Sequence, residues 1–452
     1  MVGITEIQIN RDGAKPIDFR KYIVDNCPQW ESITMLVESC MVPGLPKAYD
    51  EYPEPLDCYY KLYAKDIEKK LLELKSVLNK INSTHNKRHL MNADFICAMI
   101  LLTEEMKTKG PWYDQCYSKY SDSMLDWFIN KSNFCYMREY ETQQYIDNTF
   151  STCMRKIHNK LTKEKWKHHP AALNCYRNLI RNMRQNYPQL GKVACPLPLV
   201  FPGTLLQMDD YQEVNKIEGL KCCASLLRNL EFSQTGYEEV VYEALVQLLK
   251  YRKKCIAEQA LECILLILPL FETQTCASGW SKSDDIFEII LGELHLETDL
   301  DRQIMYFNYL PQLIEISGNS AIRWKKKIFH LLSDNIDIYL NDTSDLRNLH
   351  ECIKCFRVWL SVGWTVWKTS TDADILYRLY KLVFALSTNT DQSQGVKDCQ
   401  VSVEKCIILV FSLCTKEERQ KLLSAENVEI IKLGKGFARK WASLKRKVNV
   451  MK

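Results

Sequence analysis

Two carboxylates stand side by side, Asp209 and Asp210, in the stretch LLQMDDYQEVNKIEGLKCCASLL. Adjacent carboxylates hold a cation when further ligands converge on it, or share a proton when their charges crowd. Nearby there are only Glu213 and Glu218, and no histidine. That set is too thin for a metal or acid/base site. The other chemistry of an aspartate is capping. Ahead of an apolar-periodic run its carboxylate accepts the free N–H groups of a first helical turn, where negative charge is also favoured. Val214, Ile217, Leu220, Ala224 and Leu227 form such a run, and Asp209 stands five residues before it. The spacing recurs between Asp299 and Ile304, ahead of Phe307, Leu310 and Ile314. The aspartate pair is therefore read as the start of a helix.

Other residue types with chemistry fare no better. Cys352-Ile-Lys-Cys355 is the one C-x-x-C, with His350 beside it, and no second ligand pair exists to complete a zinc site. On a helix Leu349, Cys352, Phe356 and Leu360 face one way, so these thiols read as core, as do Cys222 and Cys223. His85 and His89 have metal-compatible spacing but lie in the polar stretch NSTHNKRH, without a nearby acid or thiol. His168 and His169 precede Pro170 at a helix break; both pairs read as solvated loop or helix start. No phosphate loop, dinucleotide fingerprint, nucleophile elbow or H-E-x-x-H is present, and Gly434-Lys435-Gly436 lacks the spacing of a Walker loop. The expectation is a protein without catalysis, cofactor or metal.

The elements that carry these residues are helices. The 452 residues include 15 glycines and 14 prolines. Both are well below the usual ~7% and ~5%, and sheets need the turns those residues make. From Tyr60 the apolar positions run Tyr60, Tyr63, Ile67, Leu71, Leu74, Leu78 and Ile81, a 3-4 spacing that predicts one long helix. Further helices are expected near 90–107, 120–130, 138–165 and 171–187. Then KVACPLPLVFPGT interrupts with Pro196, Pro198 and Pro202. The domain reading is an N-terminal helical region over 1–190, a proline-rich connection over 191–204, and a repeat region over 205–452. In that last region helices of 12 to 20 residues alternate with polar turns, near 210–230, 237–250, 254–271, 284–294, 300–316, 321–340, 346–361, 373–388, 397–414 and 427–445. Helix pairs every 40 to 50 residues predict an all-α, HEAT/armadillo-like α-solenoid of antiparallel helix pairs.

The nineteen cysteines are odd in number, and the polar N-terminus has no signal-peptide core. They read as reduced, mostly buried thiols of a protein of the cytoplasm, extending to the nucleus. The sequons at Asn82, Asn130 and Asn341 then carry no meaning. The apolar run from Cys263 to Phe271 is far short of a membrane span. With 60 basic and 56 acidic residues the net charge is +4, too even for an overall nucleic-acid binder.

The opening stretch also carries a resemblance. LPLVFPGTLLQMDDYQEVNKIEGLKCCASLLRNL, residues 197 to 230, resembles the signature segment of the Tel-two-interacting protein two family. The matching positions are Pro202, Leu205, Leu206, Asp209, Asp210, Tyr211, Asn215, Lys216, Ile217, Gly219, Leu220 and Cys222. The likeness extends through the helices to about residue 320. It implies an all-helical, HEAT-like protein free of catalysis. The Asp209 spacing separately resembles the within-repeat turn of HEAT units, where the Asp caps the second helix and a basic residue, here Lys216, pairs with neighbours. The family resemblance further implies a complex with Tel-two and Tel-two-interacting protein one homologues. That complex works with the ninety-kilodalton heat-shock chaperone and its adaptor to mature phosphatidylinositol kinase-related kinases of the mTOR and ATM types.

Three surface features are candidates for partner contact. Between Arg155 and Arg184 lie nine Lys or Arg and one acid, Glu164; Arg177, Arg181 and Arg184 fall on one helical stripe. This window reads first as a solvated face, then as a dock for an acidic or phosphorylated protein segment. Last comes nucleic acid, which would make the chain a helical-repeat adaptor in transport or RNA-associated complexes. RVWLSVGWTVWK offers Trp364 and Trp367, with Trp359 placed equally well in the core. The C-terminal IKLGKGFARKWASLKRKVNVMK reads as a terminal amphipathic helix carrying Trp441.

Overall fold

The computed structural model describes residues 21–24, 27–45, 56–84, 92–107, 139–186, 192–232, 236–272, 279–342, 346–389 and 393–423, with residues 18, 110, 112, 120 and 446. The chain forms two compact units, divided between Ala244 and Leu245. The helices expected near 120–130 and 427–445 lie outside the described residues, as do His85, His89 and Trp441.

In the first unit a two-residue antiparallel pair, β1 (Ile23–Val24) and β2 (Cys27–Pro28), leads into α1 (Trp30–Ser39). α2 (Leu56–Thr84) is the long helix that the 3-4 spacing predicts. Tyr60, Ile67, Leu71, Leu74, Leu78 and Ile81 are all buried, so the stripe read from the sequence is the face that packs. α3 (Ala93–Lys107), α4 (Glu139–His158), α5 (Pro170–Asn186), α6 (Leu197–Asp209) and α7 (Glu213–Asn229) follow. α1 packs on α2 and α3, α3 on α4 and α5, α4 on α6, and α7 on both α5 and α6.

The proline-rich connection is corrected here. Residues 191–204 are helical from Leu197 onward, and the division of the chain falls elsewhere. Pro198 sits in the first turn, where a missing N–H goes unnoticed. Pro202 lies inside α6 and disfavours it by about 3 kcal/mol. Val200, Phe201 and Met208 are buried on the same helix, each contributing about 1.5–3 kcal/mol. Burial outweighs the proline, which local reading does not weigh.

α8 (Tyr237–Leu249) spans the division. The second unit then holds α9 (Lys254–Glu272), α10 (Lys282–Leu296), α11 (Leu300–Ser317), α12 (Lys325–Asp342), α13 (Leu346–Val362), α14 (Thr369–Thr388), α15 (Gln394–Leu413) and α16 (Lys416–Leu423). Short 3-10 turns at Gly318–Trp324 and Gly363–Val366 lead into α12 and α14. The first of these takes up the start of the helix expected at 321–340. α9, α11, α13 and α15 pack in succession as one row; α10, α12 and α14 make a second; and each helix of the second row packs on the one that follows it in the chain. This is the two-layer stacking of an α-solenoid, built from helices that each bury one stripe.

Polar contacts measure the repeat directly. The Trp359 indole donates to the Ala321 carbonyl across 38 residues, the Asn348 amide to Gln303 across 45, the Cys355 thiol to the Phe307 carbonyl across 48, and the Asn389 amide to Tyr339 across 50. HEAT and armadillo units are about 40–47 residues long. Arg302 holds the start of α11 to the turn before α9: its guanidinium donates to Glu297 (2.5 Å), Tyr306 (3.0 Å) and the carbonyls of Tyr251 and Arg252.

Asp284 is the tightest of these joints. Its carboxylate is fully buried. It accepts from the Ser281 N–H (2.9 Å), closing a capping box at the start of α10. The same group accepts from Arg323 (2.7 Å) and the Trp324 indole (2.9 Å) in the turn before α12. Phe287 stacks on Trp324 at 5.7 Å. Asp284→Ala leaves the buried Trp324 N–H unpaired and removes the partner of Arg323. We expect a loss of about 3–5 kcal/mol in urea unfolding followed by circular dichroism.

Candidate partner-docking site

The structure overturns the capping role of Asp209. α6 runs through Asp209, Asp210 closes it in extended conformation (φ −63°, ψ 150°), and Gln212 precedes α7 without a side-chain bond to its first turn. A residue that ends one helix is too far back to cap the next. At Asp299 the same reading holds: its side chain accepts from the N–H groups of Asp301 and Arg302.

Asp210 instead turns inward and joins three helices. One carboxylate oxygen accepts from the Asn215 amide (2.6 Å) and the other pairs with Lys167 (3.0 Å). The Asn215 carbonyl oxygen accepts from the Arg177 guanidinium (2.9 Å). Arg177 also donates to Gln207 (2.6 Å), whose amide donates to the Gly203 carbonyl (2.9 Å). Lys216 donates to the Met208 carbonyl (3.2 Å), at the negative end of α6. Beneath them the Tyr176 hydroxyl donates to the Val200 carbonyl (2.7 Å) and meets the Thr204 hydroxyl (2.6 Å). Burial by itself would raise the Asp210 carboxyl. The Asn215 and Lys167 hydrogen bonds and the Lys167 charge outweigh it and hold the group below the usual carboxylate range.

Gly219 lets α6 and α7 meet. A Cβ there would stand 2.8 Å from the Met208 backbone nitrogen and 3.0 Å from Gln207 Cβ. The motif residues thus divide by depth. Asp210, Asn215, Lys216 and Gly219 make the lock, while Tyr211 is 76% and Val214 is 70% exposed on its outer edge. The Lys167 ammonium lies 4.7 Å from the Tyr211 ring centre and 5.2 Å from that of Trp166. A held aromatic beside an aliphatic side chain is the composition of an interface anchor.

The other candidates separate. Arg177 is taken up by the lock, and Arg181 pairs with Glu218, which also pairs with Lys221 (3.0 Å). Arg184 lies in α5, but its side chain is outside the described residues. Arg177 and Arg181 thus both have partners within the chain. Lys156 likewise pairs with Glu38 (2.9 Å). Trp364 is 57% exposed, Trp367 is half-buried against Phe329, and Trp359 is fully buried. Cys352 and Cys355 are core residues whose thiols burial pushes well above their ordinary value. His168 and His169 are half-buried rather than solvated: the Leu45 N–H donates to the His168 carbonyl (2.7 Å), and His169 packs against Gly44. Sequence reasoning missed Lys167 and Gln207 as members of the lock. Lys167 is one of nine cations in its window, and nothing local marks it as the one that reaches Asp210.

Two outcomes test the lock. Gly219→Ala gains up to ~1 kcal/mol of helix propensity but forces apart two backbones, at about 1–3 kcal/mol, so the urea midpoint should fall. Asp210→Asn should lose about 1–2 kcal/mol at neutral pH, since Lys167 is half exposed and partly screened. The folded carboxyl titrates below its unfolded value of ~3.9. Its contribution is therefore complete above that value and disappears as pH falls through the folded one. The gap between wild type and variant should shrink from pH 7 to pH 3; a constant gap would show that the charge is not the cause.

No family profile matches the chain. Among curated proteins it is similar to "TELO2-interacting protein 2" of Rattus norvegicus, 22% identical over 262 residues, covering 56% of this chain and 49% of the relative. The Mus musculus protein of that name is 24% identical over 284 residues, covering 61% and 54%, and the Homo sapiens protein is 25% identical over 187 residues, covering 40% and 36%. The matches span about half or less of these relatives' length. Among solved structures, the crystal structure of an engineered protein aligns with 86% of this chain and 96% of its own, at 13% identity and a TM-score of 0.38. With the DDY–NK–G lock on α6 and α7, the sequence matches make this chain a distant relative of the TELO2-interacting protein 2 family.

Proposed function

We propose that this chain is a non-enzymatic scaffold subunit of a co-chaperone assembly that matures and stabilises phosphatidylinositol kinase-related kinases of the mTOR and ATM types. The observation that carries the reading is the distant relationship to proteins whose name states an interaction with TELO2. The direct partner is a Tel-two-interacting protein one homologue. The Tel-two homologue belongs to the same complex, the ninety-kilodalton heat-shock chaperone machinery works with it, and the kinases are indirect clients. The place of work is the cytoplasm, extending to the nucleus.

The geometry supports a scaffold. Asp210 is engaged by Lys167 and Asn215, and the C-x-x-C thiols are enclosed in the second unit's core. No helix among the described residues is long and apolar enough to cross a membrane. The large apolar side chains that the DDY segment presents outward are Tyr211 and Val214, on the turn held by the lock. We place a partner contact there. The adaptor reading based on the basic window is not carried forward, because Arg177 and Arg181 already pair with groups of this chain.

Co-expression of the full chain with the Tel-two-interacting protein one homologue should yield a complex that survives size exclusion. Tyr211→Glu with Val214→Glu should lose capture while stability stays within about 0.5 kcal/mol of wild type, as for other exposed positions. A folded wild-type chain that does not bind overturns the scaffold reading. Undiminished capture by the double variant moves the contact away from this edge.

A further inference from the structure

A second cluster lies in the second unit, away from the lock. α12 places His330 and Asp334 one turn apart, with His330 Nδ1 3.3 Å from an Asp334 carboxylate oxygen. α10 packs against α12 and brings His295 from its last turn beside them; the two imidazole rings lie 5.8 Å apart, tilted by 41°. One ligand atom from each of the three residues lies within 4.8 Å of the other two.

We propose that His295, His330 and Asp334 bind a divalent transition-metal ion of the zinc class and so clip α10 to α12. Zinc holds imidazole and carboxylate ligands at about 2.0–2.2 Å, which in tetrahedral geometry sets them about 3.3 Å apart. The His330–Asp334 pair already has that separation. The His295 imidazole has to close by at most about 1.5 Å, which a turn of an exposed side chain supplies without moving either helix. Two imidazoles and one carboxylate suit zinc, copper or nickel and are poorly matched to calcium or magnesium, which take all-oxygen sets. Three protein ligands leave a position for water or for an incoming side chain. The simpler account is an i,i+4 ion pair, worth about 0.3–0.5 kcal/mol. It explains His330 and Asp334 but gives no reason for His295 to join them from another helix.

The pairing has a structural consequence. α10 and α12 are successive members of one row, so a shared ion joins two repeats at their outer faces. The ion would fix their spacing independently of Asp284, which ties the start of α10 to the turn before α12.

Zinc chloride alone, added to the chelator-treated full chain, tests this. Wild type should retain zinc through desalting and melt at a higher temperature with it. An excess of magnesium or calcium should not displace the zinc. His295→Asn and His330→Asn alter exposed residues and should keep the metal-free melting temperature. Each should weaken zinc binding by about tenfold or more and abolish the melting shift. Cobalt in place of zinc should give an absorption spectrum without a thiolate charge-transfer band, a readout needing no variant. The proposal is overturned if wild type retains no zinc, if either variant binds it as wild type does, if magnesium displaces it, or if cobalt reports thiolate ligands such as the exposed Cys255.

Discussion

A helix with one apolar stripe cannot bury that stripe against itself, and this constraint organises the chain. Isolated helices shorter than about 12–15 residues are marginal in water and longer ones draw most of their stability from packing, so each here depends on its neighbours. In the second unit every helix of the α9–α15 row packs on its neighbours in that row and on a helix of the α10–α14 row. Stability then builds from nearest-neighbour contacts, and a fault in one joint is felt by the repeats on either side of it.

Apolar burial drives the stacking but is non-directional and does not set register. Register is left to the few polar groups that go inside. Asp284 ties the start of α10 to the turn before α12, and Arg302 ties α11 to the turn before α9. Lys325 donates to Asp372 (2.7 Å) and to the Val366 carbonyl (2.9 Å), joining α12 to the start of α14. A slip by one turn would leave each of these charges buried without its partner, at several kcal/mol apiece. The array has one alignment because the others strand a charge.

The family-like motif obeys the same logic in the first unit. Its polar residues are spent on holding α5, α6 and α7 together, and Gly219 is required by the closeness of α6 and α7. Tyr211 and Val214 are the large apolar side chains left outside, beside the exposed polar Asp209 and Gln212. A motif can therefore carry a family relationship chiefly through packing, with few of its side chains turned to solvent.

What the sequence determined by itself was whatever depends on local period and composition: the all-α class, the stripe of α2, the cap at Asp299, the repeat length, and the burial of the Cys352 and Cys355 thiols. These follow from backbone geometry and transfer of apolar groups from water, which neighbours in the chain reveal. Only the tertiary structure decided that Pro202 lies within a helix, that Asp210 locks a turn rather than capping one, that Arg177 and Arg181 pair within the chain, and that His295 meets His330. In each case the deciding partner is distant in sequence. Asp210 finds Lys167 and His295 finds His330 because separate helices bring them together. An electrostatic or steric contact of a few ångströms leaves no periodic trace in the chain, so it becomes visible only when the helices are packed.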